Sequence, residues 1–161
     1  MSLISDIEGF ATITSGRQQE YYLDLLSTAK PVEVVSIKDV FTKDEIKEIK
    51  RFVRPKVKMC YKNSHYLTCL FPDKVRYVEG RFSRYGIPID HAFNRVGDKY
   101  VDITAELALK EDVSESEYIA YARYDQEQIV EAAVATGYYG GYYNYYWMKA
   151  KKIKNNFVEL K

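Results

Sequence analysis

His91-Ala92-Phe93-Asn94-Arg95-Val96-Gly97-Asp98-Lys99-Tyr100-Val101-Asp102-Ile103-Thr104 is the stretch whose reading decides the fold. Gly97-Asp98 has the composition of a two-residue hairpin loop with glycine at the first central position. That loop pairs Val96 with Lys99 and, if the ladder continues, Phe93 with Asp102 and His91 with Thr104. Strand alternation then puts His91, Phe93, Arg95, Tyr100, Asp102 and Thr104 on one surface. Ala92, Asn94, Val96, Val101 and Ile103 share the other, mostly aliphatic surface, which reads as the core side. His91 and Asp102 become diagonal cross-strand neighbours, with Cα atoms roughly 7–8 Å apart, a gap that an imidazole and a carboxylate can bridge. A loop one residue longer or shorter would separate them. The plainer reading of each residue alone is a half-buried histidine and an aspartate that caps a turn.

Upstream, Met59, Asn63, Tyr66, Leu67 and Leu70 recur at helical spacing and Pro72 closes the pattern, which predicts a helix over Met59 to Phe71. Cys60 falls in its first turn, where the helix dipole and Lys56, Lys58 and Lys62 favour a thiolate. Cys69, late in the same helix, reads as a small buried hydrophobe. His65, five residues past Cys60 and off its helical face, reads as a surface or groove residue. Cys60, His91 and Asp102 thus come in the chain order that a thiol acyl-transfer site would use.

Cys60, the run Arg76-Tyr77-Val78-Glu79-Gly80, then His91-Ala92-Phe93-Asn94 and Asp102-Ile103-Thr104 together resemble the core of the transglutaminase-like branch of the papain-like thiol enzymes. The short spacing, 31 residues from Cys60 to His91 and 11 from His91 to Asp102, is closer to the small stand-alone bacterial or phage members. The resemblance implies Cys60 as nucleophile, His91 as general base and acid, Asp102 as the group that orients His91, and a peptide or protein amide as substrate. Tyr77, Glu79, Phe93 and Asn94 are the candidates for lining the cleft. Arg54 stands six positions before Cys60, where many papain-like enzymes carry glutamine, so the backbone N–H of Cys60 is the one oxyanion donor assigned. The implied fold is α+β, with the cysteine-bearing helix packed on an antiparallel sheet.

The rest of the chain fits one such domain across residues 1–161, with a core over about 42–136. Thr42 and Glu45 are spaced as a capping box for a helix reaching about Val53, and Asp125 with Gln128 repeat that spacing for a helix ending near Gly137. Gly16 to Ala29 reads as a helix, Val32 to Ile37 and Glu117 to Tyr124 as strands, and Ala105 to Asp112 as irregular or a short helical turn. A tyrosine-rich helix over about 138–154 presents Tyr138, Tyr139, Tyr142, Tyr143, Tyr145, Tyr146 and Trp147, followed by Lys149, Lys151, Lys152 and Lys154. Its rings could pack on the domain, or meet a protein or a single-stranded nucleic acid. The competing function is therefore a non-catalytic binding module working through this segment.

A net charge of +1 argues against bulk attraction to nucleic acid. No apolar run reaches membrane-spanning length, and Met1 to Asp6 lacks the pattern of a signal peptide. Two cysteines, one of them a reactive thiol, suit the reducing cytoplasm better than a disulfide framework. Neither the two cysteines and two histidines nor any acidic loop has metal-ligand spacing, so no metal and no cofactor is expected.

Overall fold

The computed structural model describes residues 2–152. Chain order runs through α1 (Leu3–Ile13), α2 (Gly16–Thr28), β1 (Lys30–Val32), α3 (Lys43–Glu48), α4 (Cys60–Leu70), β2 (Val75–Arg84), β3 (Ile87–Val96), β4 (Lys99–Val101), β5 (Glu117–Tyr124), α5 (Gln126–Thr136) and α6 (Tyr142–Ala150). The fold is α+β. One five-stranded antiparallel sheet, ordered β1-β5-β2-β3-β4, carries the helices.

Local signals explain many of these boundaries. Thr42 caps α3 in a reciprocal box with Glu45, and Asp125 does the same for α5 with Gln128. The helix begun at Lys43 widens into a π turn, Ile49–Val53, so the segment reaches the expected end with a different winding. Gly97 has φ +64° and pairs Asn94, Arg95 and Val96 with Val101, Tyr100 and Lys99, the register the loop required. The ladder stops there, and Ile103 turns the chain into a π turn over Thr104–Ala108.

Two expectations are corrected. Both faces of the sheet are covered, so the aliphatic surface of the hairpin is not its only core side. Val78, Phe93, Tyr100, Tyr118 and Ala120 pack under Val34, Ala105 and Val113 from connecting segments. Tyr77 and Ala92 face the helices, meeting Ile129, Ala132 and Tyr142. The strand expected over Val32 to Ile37 is instead Lys30–Val32, an edge strand of the kind that tolerates a proline such as Pro31, and Ile37 begins a 3-10 turn. The N-terminal segment is a helix capped by the Ser2 hydroxyl, its buried Leu3, Ile7 and Ala11 spaced four apart.

β2 is the middle strand, and its register against β5 slips between Glu79 and Gly80. At Gly80 the two strands approach so closely that a Cβ would lie 1.9 Å from the Ile119 carbonyl oxygen. Gly80 pairs on its other side with His91. β3 has β4 beside it only from Asn94 to Val96, which leaves its outer edge at His91 without a strand partner among the described residues. The tip of α4 and the chain leaving β4 fill that gap.

Candidate active site

α4 begins at Cys60. The backbone entering it is tightly set: Arg54 and Lys58 hold left-handed φ values of 52° and 64°, each costing of the order of 1 kcal/mol for a residue with a Cβ. Asn63 clamps that loop. Its Nδ2 donates to the Lys56 carbonyl at 2.9 Å and to Thr104 Oγ1 at 2.9 Å, while its Oδ1 accepts the Lys56 N–H at 3.2 Å. The same helix is tied to the sheet by Asn94, whose buried Nδ2 reaches the Ser64 carbonyl (3.0 Å), Thr68 Oγ1 (3.1 Å) and the Arg76 carbonyl (3.3 Å). These two amides fix where the tip of α4 lies.

His91 Nε2 lies 2.7 Å from Asp102 Oδ2, with both side chains buried. An ionised carboxylate only accepts, so the proton of this bond sits on Nε2 and Nδ1 is the ring nitrogen left for Cys60. The Cys60 side chain lies near the imidazole and favours its protonated form. Burial alone would push the His91 pKa down, but the Asp102 carboxylate, seconded by Cys60, raises it to about 10. Burial likewise favours a neutral Asp102, and His91, Tyr118 and the Ala105 N–H reverse that and hold its carboxyl below the ordinary range.

Asp102 serves both roles that its sequence position allowed. Oδ1 accepts the Ala105 N–H at 3.2 Å and so opens the π turn, while Oδ2 takes His91 and the Tyr118 hydroxyl, the latter at 2.7 Å. Phe82 and Phe93 flank the imidazole, with ring centroids at 4.4 and 6.2 Å. The backbone N–H groups of Cys60, Tyr61 and Lys62 find no acceptor among the described residues, as expected for the first turn of a helix without a side-chain cap.

The residues put forward as cleft lining are buried, and of the four only Phe93 stands beside the imidazole. Tyr77, Phe93 and Asn94 are fully buried. Phe93 packs in the core under the loops, Tyr77 under the helices, and Asn94 is the α4 clamp. Glu79 is buried as well, yet one of its sides borders a cavity of about 270 Å³ that includes Tyr61, Arg81 and Asp90. It caps α6: Oε2 accepts the Tyr77 hydroxyl (2.6 Å) and the Tyr142 N–H (2.9 Å), and Oε1 accepts the Tyr143 N–H (2.9 Å). Burial, opposed by those bonds, raises its pKa.

His65 is buried, not on the surface. Its Nδ1 lies 2.7 Å from the Tyr142 hydroxyl, and burial lowers its pKa to about 4. Cys69 is half-buried among Tyr77, Ile129 and their neighbours, and burial raises its pKa.

The tyrosine run forms a helix over Tyr142–Ala150, shorter than expected; Lys154 lies outside the described residues. Tyr142 and Trp147 are buried, Tyr143 meets Tyr21 and Tyr121, and Tyr146 stacks on Tyr124. Lys149 pairs with Glu131, and Lys151 with Glu20 and Asp24.

Tyr118 and Asn63 are the site residues that the sequence did not yield. Tyr118 sits on a strand whose pairing is non-local, so nothing near it in the chain signals Asp102. Asn63 did leave a mark: a polar amide in the apolar stripe of α4 must be bonded if that stripe is buried.

Among the described residues no helix is long and apolar enough to cross a membrane, and no group of three or more His, Cys, Asp or Glu side chains converges as a metal site. Comparison with known protein families, with characterised proteins and with solved structures finds no match.

Proposed function

We propose that this protein is a thiol acyl-transfer enzyme, with a transglutaminase-like or papain-like core, acting on a peptide or isopeptide amide through Cys60, His91 and Asp102. The observation that supports it most is the buried 2.7 Å bond from His91 Nε2 to Asp102 Oδ2, made beside a cysteine at a helix tip. Neither a core histidine nor a turn-capping aspartate needs that pairing.

The chemistry follows from the atoms present. With the proton given up by Cys60 held on His91 Nδ1, which its raised pKa favours, the sulfur attacks the amide carbonyl carbon to form a C–S bond. The oxygen that gains charge lies toward the open N–H groups at the start of α4, with that of Cys60 first among them. The C–N bond then breaks, His91 returns its proton to the departing amine, and a thioester remains. Water or a second amine, deprotonated by His91, attacks this thioester and releases the acyl group. Asp102 keeps the ring in the tautomer that presents Nδ1 and stabilises the imidazolium between the two halves.

Alkylation tests this reading without knowledge of the substrate. Iodoacetamide near pH 7 is expected to label Cys60 at least about tenfold faster than Cys69, with a rate that drops in His91→Ala. Equal, slow labelling of both thiols refutes it. With an amide substrate in hand, Cys60→Ala abolishes turnover.

A further inference from the structure

The nucleophile stands at the end of a strongly basic segment. Between Lys47 and Lys62 there are seven lysines and arginines against one acid, Glu48, in a chain whose net charge is +1. None of these seven cations takes part in an ion pair among the described residues. Elsewhere Lys74, Arg81, Arg84, Lys149 and Lys151 have carboxylates against them.

Four of the seven, Arg51, Arg54, Lys56 and Lys62, line one groove of about 350 Å³, together with Phe52, Met59, Asn63 and Tyr66 and no acidic side chain. Arg54 is held in place by a bond from its Nε to the Arg51 carbonyl at 3.0 Å, and Lys62 lies 5.4 Å from the Tyr66 ring centroid. Phe52 and Met59 are 58% and 38% exposed, so the floor offers apolar surface between the charges. Met59 and Lys62 bracket Cys60 in the chain, so the groove runs along the turn that opens α4.

We infer that this groove holds an acidic stretch of the substrate polypeptide, aspartate or glutamate side chains flanking the amide that Cys60 attacks. The inference rests on the acyl-transfer reading for its choice of a peptide over other polyanions. Carboxylates opposite Arg51, Arg54, Lys56 and Lys62 supply the counter-charge the fold lacks there, and apolar side chains between them cover Phe52 and Met59. Arginine presents the paired donors that suit a carboxylate, while the lysines add point charge.

The test is fluorescence anisotropy of the full chain carrying Cys60→Ala, with a fluorescein-labelled hexaglutamate peptide and its hexaglutamine counterpart. At 0.15 M salt the glutamate peptide is expected to bind at least about tenfold more tightly, with a preference that shrinks at 0.5 M salt. Replacing Arg51, Lys56 and Lys62 by glutamine, in a variant whose circular dichroism matches the parent, removes the preference. Lys99→Gln, at an exposed cation on the far hairpin, keeps it. Equal binding of the two peptides, or an equal loss with Lys99→Gln, overturns the inference. So does displacement of the glutamate peptide by a single-stranded oligonucleotide at lower concentration than by unlabelled peptide, which assigns the face to nucleic acid. The two proposals fail separately. A Cys60 that alkylates rapidly in a protein without glutamate preference retains the enzyme and removes the acidic substrate; preferential binding beside a Cys60 no faster than Cys69 retains the groove and removes the enzyme.

Discussion

The two histidines of this chain are equally hidden, each 6% exposed, and behave in opposite ways. His65 faces the Tyr142 hydroxyl, and burial pushes its pKa down to about 4, so it is a neutral ring in a tyrosine-rich seam. His91 also carries a burial penalty and overcomes it, because the Asp102 carboxylate bonded to Nε2, seconded by Cys60, favours its protonated form. Burial by itself makes an imidazole inert. A carboxylate buried with it turns the same ring into a proton carrier, and that carboxylate must then be stabilised in turn, here by Tyr118 and the Ala105 N–H.

The largest effect expected is from removing what distinguishes the two rings. Asp102→Asn leaves His91 buried with a neutral partner, so its pKa drops below the ordinary value as that of His65 does. Alkylation of Cys60 then slows by roughly 10²- to 10⁴-fold. NMR titration of the two imidazole C–H signals follows the first change directly; an Asp102→Asn variant in which His91 still titrates above about 6.5 breaks the comparison.

Next comes acid sensitivity, where the signs differ. A histidine whose pKa falls from 6.5 to about 4 on folding stabilises the protein above 6.5, a contribution lost as the pH falls to 4. For His65 this is about 2 kcal/mol once solvent screening is allowed for, and urea melts at about pH 7 and about pH 4.5 should show it in the parent and not in His65→Gln. His91 has a raised value, so its contribution is complete below 6.5 and disappears as the pH climbs through about 10. Asp102, lowered by folding, adds stability above its unfolded value near 3.8 that is lost in stronger acid.

The smallest change sharpens the contrast by degrees. Tyr118→Phe removes one of the bonds to Asp102 Oδ2 and costs about 1 kcal/mol in stability. Alkylation of Cys60 falls only a few-fold, measured beside Tyr142→Phe, which costs a similar amount through His65 and leaves the labelling rate alone.

Which of these roles could be read in advance depended on how local their causes are. The Gly97-Asp98 loop, both capping boxes, the start of α4 and the bounds of β5 are written in neighbouring residues, and each lies where the chain indicated. The loop set the register, but the ladder on which His91 and Asp102 were to be diagonal neighbours ends at Asn94 and Val101, and Asp102 reaches His91 from the chain leaving β4. Tyr77, Glu79, Phe93 and Asn94 were misjudged because alternation along a strand separates two faces without saying that both are covered. His65 was misjudged for a related reason: what buries it is α6, held against β2 by Glu79 from 63 residues away. Asn63 and Tyr118 likewise act through partners remote in sequence, 41 and 16 residues off.

Gly80 carries no reactive atom, yet it sets a tolerance for the whole arrangement. Even a methyl group there would drive apart the two central strands, and the imidazole rides on the next strand over, hydrogen-bonded through that same position. A saturation library selected for folding would find position 80 intolerant, though alkylation chemistry would never label it. An engineer transplanting Cys60, His91 and Asp102 onto another scaffold would have to copy this empty spot along with them.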